Sequence, residues 1–124
     1  MKYSLFIFLV LLPITSLFSA PKANDIIGIW LNPDGNRKME IYKEGDKYFG
    51  KIVWLKDSED KAKVGDIVLK NFSFNGEEWE GDIYIAQKKR DLFGTIEMDD
   101  SNTINISASV GLISRSKKWK RVEN

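Results

Sequence analysis

The chain has 124 residues and contains neither cysteine nor histidine. Without cysteine there are no disulfides, no thiolate nucleophile and no lipid anchor on an N-terminal cysteine. Without either residue there are no Cys/His zinc sites and no triad that relies on an imidazole base. Proline is scarce, and Pro33 is the only one after Pro21. Charge of one sign is also lacking. The 19 basic and 18 acidic residues leave a formal net charge of +1, which argues against a dedicated nucleic-acid binder. Long apolar runs are missing as well: the one unbroken run, residues 5–12, falls well short of the roughly 20 residues a membrane-spanning helix needs. Nothing in the sequence calls for a cofactor or a metal, and no enzymatic activity is expected. What is present is the composition of a soluble globule, 43% hydrophobic and 30% charged.

The short apolar run has its own reading. Met1-Lys2 gives a positive start, Pro13 ends the run, and small residues follow at Ser16, Ser19 and Ala20. This is the layout of a secretory signal. The expectation is a removable signal over residues 1–20 and a single domain over residues 21–124, placed in the periplasm or outside the cell with no integral membrane span after cleavage. A domain near that size can bury enough surface to fold without a staple.

From Asp25 onward the sequence alternates with period two, is rich in β-branched and aromatic residues, and is punctuated by turn signals. Strands are expected over residues 26–32, 37–43, 47–55, 66–72, 79–87, 91–98, 103–109 and 116–122. Pro33-Asp34-Gly35-Asn36, Glu44-Gly45-Asp46, Asn75-Gly76, Lys88-Lys89-Arg90 and Asp99-Asp100-Ser101-Asn102 supply the turns. Eight antiparallel strands in one all-β domain suit an up-and-down barrel or a β-sandwich. A repeated pattern favours the barrel: Tyr48-Phe49-Gly50-Lys51-Ile52, Trp79-Glu80-Gly81-Asp82-Ile83 and Leu92-Phe93-Gly94-Thr95-Ile96 each carry a glycine on the face of their large apolar neighbours. Such a glycine permits a sharp bend or makes room for a facing ring.

Gly28-Ile29-Trp30 opens the first strand and Trp119-Lys120-Arg121 lies in the last. In a closed barrel these strands are neighbours, so Arg121 is expected over the Trp30 ring, with Arg115 as the rival for that place. Gly28, Trp30, Trp119 and Arg121 are therefore the candidates for closing one end. A Gly-x-Trp in the first strand with a late basic residue across it resembles the calycins, the lipocalin, fatty-acid-binding and avidin group. Most of the mature chain further resembles the bacterial family catalogued as domain of unknown function 2147. The stretches that carry the likeness are Asp25 to Trp30, Gly50-Lys51-Ile52-Val53-Trp54-Leu55, Trp79 to Tyr84, and Gly111 through Val122. The resemblance implies an exported barrel and assigns no activity. The sequence departs from the family pattern between Lys56 and Asp66, which is shortened, and at Tyr84-Ile85-Ala86.

Two functions follow. One is a binding module holding a small apolar or amphipathic ligand. Alternation puts Met39, Ile41, Tyr48, Ile52, Trp54, Trp79, Ile83, Leu92, Ile96, Ile104 and Ile106 on one set of faces. Tyr48, Trp54, Trp79 and, if the strand twists after Gly81, Tyr84 are expected to touch the ligand, with Gly50, Gly81 and Gly94 supplying room. The other is a filled barrel whose outer surface meets an envelope protein partner. The acidic groups (Asp57, Glu59 and Asp60; Asp99 and Asp100; Glu77, Glu78 and Glu80) read as solvated turns and edges. The basic C-terminal strand, with Arg115, Lys117, Lys118 and Lys120, reads as a solvated edge carrying one inward arginine.

Overall fold

The computed structural model describes residues 19–122; the expected export signal lies outside the described residues except for its last two positions. A short 3₁₀ helix, Ala23–Ile26, leads into eight strands: β1 Gly28–Leu31, β2 Arg37–Glu44, β3 Lys47–Leu55, β4 Ile67–Phe74, β5 Trp79–Ile85, β6 Arg90–Asp100, β7 Thr103–Val110 and β8 Ile113–Val122. All neighbours are antiparallel, and β1 pairs with β8 to close the barrel. The expected eight-stranded barrel is the fold observed, and the sandwich is not.

Closure is incomplete along one side. β1 has only four residues, because the 3₁₀ helix precedes it and a turn over residues 32–36 follows. It meets β8 only through Ile29 with Val122, Trp30 with Arg121 and Leu31 with Lys120. Residues 113–119 of β8 pair with β7 alone, so their other edge borders a slot in the wall.

The core gathers at the end where the 3₁₀ helix sits. Ile26, Trp30, Phe72, Trp79, Ile96 and Ile104 are each completely buried there, with Met39, Ile41 and Tyr48 almost so. Each such large apolar side chain contributes about 1.5–3 kcal/mol by leaving water. The helix is bolted down by polar groups of that same core. The Trp30 indole Nε1 donates to the Ile26 carbonyl and the Trp79 Nε1 to the Ala23 carbonyl, both at 3.0 Å. The Tyr48 hydroxyl reaches Asn24 Oδ1 at 2.5 Å. The two indole bonds give the Ile26 and Ala23 carbonyls partners, and the Tyr48 bond ties down the Asn24 side chain.

Arg121 completes that end. Its guanidinium carbon lies 4.3 Å from the Trp30 ring centroid. Nε donates to the Ser101 carbonyl, Nη1 to that of Ile27 and Nη2 to that of Asp25, at 2.9, 2.9 and 2.7 Å. Gly28 is required for this arrangement. Its φ is +146°, and a Cβ there would stand 2.5 Å from Arg121 Nη1.

Candidate functional site

Away from that floor the barrel interior is hollow. A cavity of about 670 Å³ opens at the opposite end, within the usual size of a small-molecule site. Buried Met39, Ile52, Leu69, Ile83 and Ile106 form its deep wall, while Val110, Ile113 and the β5–β6 turn residues Gln87 and Lys88 stand at the mouth. Trp119 and Ala108 line it between these levels.

The structure separates the aromatic residues that the sequence grouped as ligand contacts. Tyr48 and Trp79 do not line this cavity: they are committed to the 3₁₀ helix at the closed end, and burial there pushes the Tyr48 phenol above its usual range. Trp54 lies outside the barrel. Met39 pairs with Ile52 but Lys38 pairs with Trp54, so Val53 is an extra residue and the strand changes face after it. Lys38 Nζ then sits 5.0 Å from the Trp54 ring centroid, and 37% of the Trp54 surface stays exposed. Tyr84 borders the cavity at its rim, but its ring lies toward the outer face beside the Lys70–Asp91 pair, with Lys70 Nζ 5.1 Å from the ring centroid.

The three repeat glycines are interior but leave no room for a ligand. A Cβ at Gly50 would come within 2.8 Å of Leu69 Cδ1 and Met39 Sδ. Gly81 and Gly94 face each other across β5 and β6. Phe72 fills the space over Gly81, where a Cβ would also meet the Lys70 carbonyl at 2.8 Å, and Ile83 fills the space over Gly94. The protein's own side chains occupy what the glycines vacate. Trp119 is also displaced from its expected role: it lines the cavity, whereas Trp30 and Arg121 cap the floor. Arg115, the rival for that cap, lines the cavity instead.

The residues missed are the inward series of β8. Period-two alternation places Ile113, Arg115, Lys117, Trp119 and Arg121 on one face, and the first four line the cavity. Starting the strand at 116 hid this series, although counting back in twos from Arg121 exposes it. Lys118 and Lys120 face outward, to Asp99 and to Thr103 Oγ1.

Arg37 also reaches the cavity, and its charge is matched. Nε and Nη2 donate to the two carboxylate oxygens of Asp60 at 2.8 and 2.5 Å. This fork holds the Asp60 carboxyl below its ordinary value and ties the β3–β4 loop to the start of β2. Among the described residues no cluster of acidic groups is arranged to hold a metal ion, and no helix is long and apolar enough to cross a membrane. At the closed end Glu78 is raised above its ordinary value, first by burial and then by Glu97, Glu80 and Glu77.

The sequence family described as "Uncharacterized protein conserved in bacteria (DUF2147)" matches residues 28–121. A solved protein from the human pathogen Helicobacter pylori, described as belonging to the lipocalin family, superposes with a TM-score of 0.66 over 86% of each chain at 12% identity. That likeness is one of fold. No curated protein matches the sequence.

Proposed function

We propose that this chain, which belongs to the bacterial DUF2147 family, is an exported barrel that binds a small apolar or amphipathic ligand in its open-ended cavity. The observation that carries this reading is the 670 Å³ hollow with an apolar deep wall, set above a floor that is packed without gaps of comparable size. Burying a hydrocarbon against Met39, Ile52, Leu69, Ile83 and Ile106 removes apolar area from water on both partners, at roughly 25 cal/mol for each Å². The lipocalin-like fold agrees with such a use. Export rests on Lys2, the apolar run over residues 5–12 and the small residues before Pro21. N-terminal sequencing of the envelope protein is expected to find a start between Ser19 and Asn24.

Titration of lipid-stripped protein with an environment-sensitive hydrophobic dye tests the binding. A saturable signal is expected, and Ala108→Phe, which fills the cavity wall, is expected to abolish it while the β-sheet spectrum is kept. Absence of saturation in the wild-type protein would contradict the reading. One observation favours the alternative, an envelope interaction module: Val110, Leu112 and Ile113 at the β7–β8 tip are 40, 106 and 67% exposed. An apolar tip of that kind suits a partner surface. In that case Leu112→Ser would break a complex and the dye would find no site.

A further inference from the structure

The charged groups that line the cavity are all of one sign. They are Arg37, Lys88, Arg115 and Lys117, and no aspartate or glutamate joins them. Arg37 is neutralised by Asp60. Among the described residues Lys88, Arg115 and Lys117 form no ion pair, in contrast to Lys51, Lys70 and Lys118 on the outer surface, which pair with Glu40, Asp91 and Asp99.

The placement of the two β8 cations is unusual for a barrel interior. Positions 113, 115, 117, 119 and 121 share the inward face, where an apolar residue is the ordinary occupant. Arg121 is accounted for by the Trp30 ring and three carbonyls. Arg115 and Lys117 have no comparable structural partner. They lie on the stretch of β8 that bonds only to β7, beside the slot left by the short β1. In the empty barrel that slot keeps them hydrated. A ligand seated against the apolar wall displaces part of that water, and the resulting loss of solvation is offset only if the ligand brings negative charge. A neutral head group leaves two cations partly desolvated without a partner, and a cationic one adds repulsion.

Building on the ligand-binding reading, we propose that the cavity selects amphiphiles with an anionic head group. The head lies at the β8 slot against Arg115 and Lys117, with Lys88 on the rim, and the apolar tail runs toward Leu69 and Ile83. A carboxylate or a phosphate meets this requirement, since both offer acceptor oxygens and negative charge.

The test is dye displacement from the lipid-stripped chain by four amphiphiles of one tail length: a carboxylic acid, an alkyl phosphate, an alcohol and a quaternary ammonium. At least one of the two anions is expected to bind about tenfold or more tighter than the alcohol, with the ammonium weakest. The preference is expected to shrink as salt rises, because the slot is open to solvent. The Arg115→Gln/Lys117→Gln double variant is expected to bring anion and alcohol within about twofold, by weakening the anion and relieving the desolvation cost that the neutral alcohol meets. Lys118→Gln/Lys120→Gln, on the outer face of the same strand, should keep the preference. Equal binding of anions and alcohol to the wild type overturns this inference and leaves the ligand-binding reading intact. A preference that survives the double variant overturns the assignment to Arg115 and Lys117. Failure of every amphiphile, the alcohol included, overturns the ligand-binding reading itself.

Discussion

The two ends of the barrel use the same eight strands and the same alternation, yet they resolve the inward face in opposite ways. At the closed end, inward side chains meet one another and a 3₁₀ helix: Trp30 and Trp79 are completely buried and bond to the helix backbone. At the open end, inward side chains face a hollow, and the last strand presents Arg115 and Lys117 where the closed end presents Trp30 and Phe72. The cause is local. The helix supplies Ile26 as a plug on one side only, and the shortness of β1 withholds a strand from the other. Facing inward is therefore not the same as belonging to the core. Depth along the strand decides which of the two a residue does.

That contrast can be broken most sharply with a pair of tryptophans. Trp30→Ala is expected to cost about 3–5 kcal/mol, since it opens a cavity in the packed floor and orphans the Ile26 carbonyl. Trp119→Ala removes the same side chain from a half-buried place on the cavity wall, and is expected to cost no more than about 1–2 kcal/mol. Equal losses in chemical denaturation would mean that the two ends are not different in packing. A second pair uses arginines six residues, or three pleat repeats, apart on the inward face of β8. Arg121→Ala should destabilise by about 1–3 kcal/mol through the lost ring contact and three lost carbonyl bonds, whereas Arg115→Ala should stay within about 0.5 kcal/mol.

The repeat glycines sharpen the comparison from the side of steric fit. Gly81→Ala is expected to destabilise by about 1–3 kcal/mol, because its Cβ meets the Phe72 ring and the backbone carbonyl of Lys70. Wild-type stability with unaltered dye binding would show that the space over Gly81 is free after all.

The Arg37–Asp60 fork gives a smaller, pH-dependent effect at the open end. Asp60 has its folded-state value below the ordinary 3.8, so its contribution is present above that value and is lost as pH falls through the lowered one. The stability gap between wild type and Asp60→Asn is expected to be constant near neutrality and to close in acid, read by denaturant melts across that range. The smallest effect belongs to Leu112→Ser at the exposed hairpin tip, within about 0.5 kcal/mol.

Much of this fold is legible in the residues. Alternation with turn signals locates all eight strands, and the Gly28-x-Trp30 and Arg121 pattern anticipates the ring and guanidinium that meet across β1 and β8. The lining of the cavity is less legible, for three physical reasons. Alternation carries no information about depth, so Tyr48 and Trp79 look the same as wall residues although they belong to the floor. A bulge at Val53 reverses the face of Trp54, and no residue type there announces it. Glycine signals that a neighbour comes close without saying which, and at 81 and 94 the neighbours are Phe72 and Ile83. The inward cations of β8 were within reach of the sequence. They were masked by the outward Lys118 and Lys120, which make the strand look basic on both faces.

The four tryptophans report on three distinct settings: Trp30 and Trp79 in the floor, Trp54 on the outer surface and Trp119 on the cavity wall. Their indole N–H resonances, followed by two-dimensional NMR while an anionic amphiphile is titrated into lipid-stripped protein, test the central claim most directly. A saturable shift of the Trp119 signal is expected, while those of Trp30, Trp54 and Trp79 hold their positions. Saturable movement of the Trp30 or Trp79 signals with Trp119 unmoved would contradict it.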